Sequence, residues 1–194
     1  MESRWSGTTE DAYFNQEIFA RNRVLNQPEY EASGRSSKFA TYVISVDVAR
    51  FKGCDTVFCI FKSTPQPQGI PVKTLVNMYT MNDEHFEDQA IFLKRLYYKY
   101  NASRIVIDGN GNGAGLVDYM VKPQIEQETG DVLPPFGVYN DDKGEYVRYK
   151  TNDTELDAMY IIKANAAINS EAHVNVKSQL ASGKVKFLID PRMA

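Results

Sequence analysis

Apolar positions along this chain change period several times, and each change predicts an element. Residues 42–48, Tyr-Val-Ile-Ser-Val-Asp-Val, form a short β-branched run without clean alternation, which predicts a strand buried on both faces with Asp47 at its C-terminal end. Gly53 marks a turn, residues 56–62 a second strand, Pro65 to Gly69 a loop and residues 72–79 a third strand, so short links predict an antiparallel meander. From Asn82 or Asp83, either of which suits an N-cap, the period becomes helical. Phe86, Ala90, Leu93, Tyr97 and Tyr100 form the stripe, behind an acidic first turn and ahead of Lys94, Arg95 and Lys99. A strand at 104–108, a glycine-rich turn, a helix at 115–121 and a strand near 136–139 then read as a βαβ unit, which implies a parallel pair. Asn152 with Glu155 resembles a capping box for a helix carrying Leu156, Met159, Tyr160 and Ile168. A second helix at 172–180 and a strand at 184–189 close the chain. The fold class is α/β, with a mixed sheet and flanking helices.

Residues 1–38 are polar and end in Glu31-Ala-Ser-Gly-Arg-Ser-Ser-Lys38, a linker composition that sets a domain boundary before residue 39, although Phe14, Ile18, Phe19 and Val24 suit a docking helix within 11–25. At 194 residues and 43% hydrophobic, the chain accommodates one domain plus such a segment. Cys54 and Cys59 form no metal or redox motif, so a reducing compartment is expected. No apolar run reaches the roughly 20 residues of a membrane span, and no membrane partner is expected. A net charge of -3 argues against a free-standing DNA binder, because phosphate rewards Lys and Arg, yet carboxylates that hold cations facing a phosphate produce the same balance.

Two carboxylates close buried apolar strands: Asp47, and Asp108 after Ile105-Val-Ile107. Either alone also reads as a structural cap. Together, at the C-terminal ends of strands that can be neighbours, they converge on one cation, and oxygen ligands without His or Cys point to magnesium or manganese. The segment Asp108-Gly-Asn-Gly-Asn-Gly-Ala-Gly115 superficially matches a dinucleotide-binding turn, but an Asp there would repel the pyrophosphate. Its glycines serve either close approach to a DNA phosphate, with Asn110 and Asn112 as contacts, or a tight strand-to-helix crossover. Arg50 and Lys52, before Asp55, suit a phosphate-contacting hairpin tip or a merely solvated one. His85 and His173 have no partner ligands at usable spacing, and Tyr97, Tyr98 and Tyr100 have the helical spacing of core packing.

Val46-Asp-Val-Ala-Arg50 followed by Gly53-Cys-Asp-Thr56, then Ile105-Val-Ile-Asp-Gly-Asn-Gly-Asn-Gly-Ala-Gly115, resembles the nuclease domain of tailed-phage terminase large subunits over residues 39–191. Ser3-Arg-Trp-Ser-Gly7 with Phe14 and Glu17 resembles that family's segment joining packaging ATPase to nuclease, and no Walker-type loop is present. The resemblance implies an RNase H-like endonuclease that cuts concatemeric double-stranded viral DNA with two Mg2+ or Mn2+ ions. Asp47 and Asp108 match the first two metal-binding aspartates, while a third is expected beyond Ala194, with Asp190 as the substitute within the sequence. The implied partners are the packaging ATPase domain, the portal and the small terminase subunit. The implied setting is the cytoplasm of an infected bacterium, transiently at the portal. Alternatives from other classes are a resolvase-type enzyme, a nucleotide-binding domain and a silent docking module.

Overall fold

The computed structural model describes residues 13–32, 39–49, 54–127, 129–149 and 156–190. The apolar run at 42–48 becomes β2 (Thr41–Asp47), and the meander continues through β3 (Asp55–Thr64) and β4 (Val72–Asn82). Both pairings are antiparallel, with Asp47 opposite Val57 and Asp55 opposite Asn82. On the other side of β2 lies β5 (Arg104–Asp108), parallel and in register from Val43↔Arg104 to Val46↔Ile107. Beyond β5 come β9 (Leu156–Ile162) and β8 (Phe136–Val138), both parallel to it. At the opposite edge, β10 (Val185–Leu188) runs parallel to β4, and β1 (Arg23–Leu25) parallel to β10. The order is β1-β10-β4-β3-β2-β5-β9-β8, and only β3 runs against the rest. This is an RNase H-like α/β sheet.

Side chains alternate across each strand, so Tyr42, Ile44 and Val46 of β2 share a face with Ile105 and Ile107 of β5, and all five are buried. That face is covered by α2 (Phe86–Lys99) and α3 (Asn112–Met120), whose Phe86, Ala90, Leu93, Leu116, Val117 and Met120 complete the core. Full burial of each large apolar side chain contributes about 1.5–3 kcal/mol, which holds β2 and β5 side by side under two helices. Val43, Ser45 and Asp47, with Arg104, Val106 and Asp108, point to the opposite face.

Several expectations need correction. Residues 156–162 form a strand, not a helix: a seven-residue apolar run fits either period, and insertion between β5 and β8 decides for the strand. The parallel partner of β5 is therefore β9, and β8 stands one place further out. Asn152 and Glu155 lie outside the described residues. The following helix is a single α4 (Ala166–Ala181), capped by Asn165, whose side chain accepts from Ala167 and Ile168 amides at 3.0 Å. Neither Asn82 nor Asp83 caps α2. β4 runs through Asn82, whose amide donates to Asp55 at 2.5 Å, Asp83 turns with φ 56°, and His85 stands at the cap position. A small hairpin, β6 (Gln124–Ile125) with β7 (Val132–Leu133), occupies what reads as loop.

The polar N-terminal segment contributes α1 (Gln16–Asn22) and edge strand β1. It continues to Glu29, whose carboxylate accepts from Tyr42 at 2.6 Å and Lys62 at 2.7 Å. Among the described residues no helix is long and apolar enough to cross a membrane.

Candidate two-aspartate site

Asp47 and Asp108 end adjacent parallel strands at the same level, directly after the register pair Val46↔Ile107. Neighbouring strands lie about 4.8 Å apart, so the two Asp side chains leave the sheet side by side on one face. Both side chains are exposed, on the face away from α2 and α3. Their closeness to the sheet shows at Cys59, opposite Ser45 on β3. Burial pushes its thiol up, a hydrogen bond with Ser45 opposes this, and the negative charge of Asp47 adds to the rise. Among the described residues no group of three or more His, Cys, Asp or Glu side chains is placed to hold a metal ion.

The turn after Asp47 is held by side chains. Ala49 N–H donates to Thr56 Oγ1 at 2.8 Å, and Gln89 Nε2 of α2 donates to the Ala49 and Glu84 carbonyls, both at 3.0 Å. The Thr56 hydroxyl has two acceptors, Ala49 O at 2.8 Å and Gln89 Oε1 at 3.0 Å. Thr56 is 0% and Gln89 1% exposed, so the sequence has placed two polar groups inside the core for this turn.

The turn after Asp108 is held by closeness of backbone. Gly109 N–H donates to Ile162 O at 2.7 Å, extending the β5–β9 pairing, and a methyl group at Gly109 would overlap Ile161. A methyl at Gly113 would overlap the Asp108 carbonyl, and one at Gly115 the Phe86 ring. The glycines therefore let α3 start against the end of β5 and slide beneath α2, which is the crossover reading. Asn110 completes the turn. Its N–H donates to Asp108 Oδ1 at 3.0 Å and its side-chain amide to Ala164 O at 2.9 Å.

The other residues singled out by sequence scatter. Asp190 follows β10, three strands from β2 or roughly 14 Å of sheet. The register Lys186↔Thr74, Thr74↔Lys62 and Lys62↔Tyr42 sets Lys186 level with Tyr42 on strands running the same way, so Asp190 is separated from Asp47 across the sheet rather than along it. Asn110 uses its side chain within the turn, Asn112 opens α3, and Arg50 and Lys52 lie outside the described residues. His85 and His173 are exposed. Tyr97 packs on Phe136 at a centroid distance of 4.8 Å and Tyr100 is buried, the core reading for these two, whereas Tyr98 touches Phe136 at 5.9 Å but is 45% exposed.

Sequence reasoning missed Thr56, Gln89 and Lys94. Gln89 and Lys94 sit at apolar-stripe positions, three after Phe86 and four after Ala90, and that mismatch was a readable signal. Lys94 is fully buried. Its ammonium donates to Lys122 O at 2.6 Å over the Phe136 ring, and burial lowers it to about 8.

Solved structures with this sheet and helix arrangement belong to nuclease domains of terminases. The nuclease of the large terminase from thermophilic phage G20c with bound magnesium superposes with TM-score 0.55 at 14% identity, over 90% of this chain and 75% of that one. The G20c nuclease with bound zinc gives 0.54 at 14%, over 91% and 83%. The manganese-soaked human cytomegalovirus terminase nuclease domain gives 0.51 at 11%, over 90% and 76%. The chain thus has the fold of large-terminase nuclease domains, the family its motifs resemble. No family profile matches the sequence, and no curated protein matches it.

Proposed function

We propose that this chain is a metal-dependent endonuclease domain that cuts double-stranded DNA during viral genome packaging. The carrying observation is the placement of Asp47 and Asp108 on adjacent parallel strands of a sheet shared with terminase nucleases, several of them solved with divalent metal. The donor set fits Mg2+ or Mn2+: exposed carboxylate oxygens, with the neighbouring Cys59 thiol pushed up chiefly by burial. When bound, such ions supply an activated water and charge neutralisation at the scissile phosphate. Asp47 and Asp108 would hold them. The Asn110 backbone N–H donates to Oδ1 of Asp108, so Oδ2 is the oxygen that would take a cation. Further oxygens are needed for two ions, and Asp190 is poorly placed to give one to Asp47.

By the same resemblance, the DNA would be held mainly by partners, namely the packaging ATPase domain, the portal and the small subunit, because the chain is net negative. Its setting would be the cytoplasm of the infected host. Plasmid nicking with Mn2+ tests the proposal: the wild-type chain nicks supercoiled DNA, while Asp47→Asn and Asp108→Asn each lose the activity without losing the fold. Wild-type protein that binds neither Mn2+ nor DNA and does not nick would leave a docking module as the better reading.

A further inference from the structure

Thr56 and Gln89 are costly choices for their positions. A valine at 56 would keep β3, and a methionine or leucine at 89 would widen the apolar stripe of α2, yet both positions are polar and buried. Their hydrogen bonds close a ring when the Thr56 hydroxyl donates to Gln89 Oε1. Ala49 N–H then reaches Thr56, Thr56 reaches Gln89, and Gln89 returns to Ala49 O while its second amide hydrogen takes Glu84 O. This arrangement leaves none of these donors without an acceptor. It joins the end of β2, the start of β3 and the entry to α2 at the backbone of one residue, Ala49, two residues after Asp47. Asp108 has an amide hydrogen bond orienting its carboxylate, whereas among the described residues Asp47 has none, so its direction depends on where its backbone is held.

We propose that Thr56 and Gln89 are positioning residues for the metal site, fixing the backbone on both sides of Ala49 so that the Asp47 carboxylate points at the cation it would share with Asp108. The inference rests on the metal-dependent reading above. Outer groups that orient ligands through hydrogen bonds typically govern metal affinity about 10- to 100-fold, and one acting through two residues of backbone belongs at the lower end.

The test is Mn2+ titration calorimetry on the wild-type chain, Thr56→Val, Thr56→Ser and Gln89→Met, with metal-free melting recorded for each. Valine keeps the shape and loses the hydroxyl, whereas serine keeps the hydroxyl and loses a methyl group. The expected result is Mn2+ affinity lowered about tenfold in Thr56→Val and Gln89→Met and kept within about twofold in Thr56→Ser. A purely structural role would lower melting temperatures and leave affinity unchanged, or make Thr56→Ser the weakest binder. Either outcome overturns the inference while the metal site stands. If Thr56→Val does not fold, Gln89→Met against Thr56→Ser carries the same contrast. Wild-type protein that takes up no Mn2+ overturns the metal reading and this inference with it.

Discussion

The two strand ends that carry the aspartates are alike in place and opposite in construction. After Asp47 the chain is fixed by buried polar side chains from β3 and α2, acting on the backbone N–H and C=O of one residue, Ala49. After Asp108 it is fixed by missing side chains, with Gly109, Gly113 and Gly115 letting backbone and rings approach where a methyl group would not fit. A polar lock specifies geometry through hydrogen bonds, each contributing about 0.5–1.5 kcal/mol, and it tolerates small displacements. Close packing specifies geometry by exclusion and tolerates almost none. The Asp108 end is thus the rigid half of the site and the Asp47 end the adjustable half.

The largest effect that would sharpen this contrast comes from the glycines. In Gly113→Ala the new methyl must displace the Asp108 carbonyl, so α3 or β5 shifts, at a cost of about 3 kcal/mol or more. Gly111 has φ 55° and ψ -120° but open space around it, so Gly111→Ala meets backbone strain alone, about 1–3 kcal/mol. Urea unfolding of both variants reads the order directly. A larger loss for Gly111→Ala would mean that the turn is governed by conformation, and that the Asp108 end is not the close-packed one.

How much of this was legible depended on whether local pattern and tertiary need agreed. β2, β3, β4 and β5 and the stripe of α2 carry strong periodicity, and Asp47 and Asp108 stand out because each interrupts an apolar strand at its end. For Leu156–Ile162 the pattern was ambiguous, because seven apolar-rich residues satisfy a helix or a buried strand, and only the gap between β5 and β8 resolves it. The position of β10 was equally hidden. It lies next to β4 by a crossover of the whole sheet, which no local signal encodes, and that placement carries Asp190 away from Asp47. Of the polar locks, Gln89 shows in the sequence only as a polar residue in an apolar stripe and Thr56 not at all, since their meaning lies in partners 33 and 40 residues apart.

A smaller effect concerns Lys94, which ties α2 to Lys122 at the far end of α3 and so clamps the rigid half from behind. Burial lowers its ammonium from 10.5 to about 8. Between those values the unfolded chain binds a proton at this site that the folded chain does not, so stability rises with pH across the window, and below about 8 the full cost of the buried charge is present. Relative to Lys94→Met, the wild-type protein should gain on the order of 1 kcal/mol between pH 7.5 and 9.5. Comparison with the variant is needed because Tyr97, Tyr98 and Tyr100, all raised mainly by burial, pull the other way at the alkaline end. Parallel melting curves for the two proteins would remove Lys94 from the account.

The smallest effect separates the two aspartates themselves, in the absence of metal. Both substitutions to asparagine remove a negative charge from a pair on adjacent strands, which relieves repulsion. At Asp108 that gain is offset, because its carboxylate accepts from the Asn110 amide at 3.0 Å and a neutral acceptor makes a weaker bond. At Asp47 no described residue donates such a bond, and the gain stands. Asp108→Asn should therefore melt within about half a degree of the wild-type chain, and Asp47→Asn one or two degrees above it, a few tenths of a kcal/mol for a domain of this size. Added Mn2+ should raise the wild-type melting temperature and shift neither variant as far, because the ion stabilises only the state that binds it. If Asp47→Asn instead melted several degrees lower without metal, its carboxylate would be fastening the backbone as a structural cap. The difference between an adjustable end and a rigid end would then be lost.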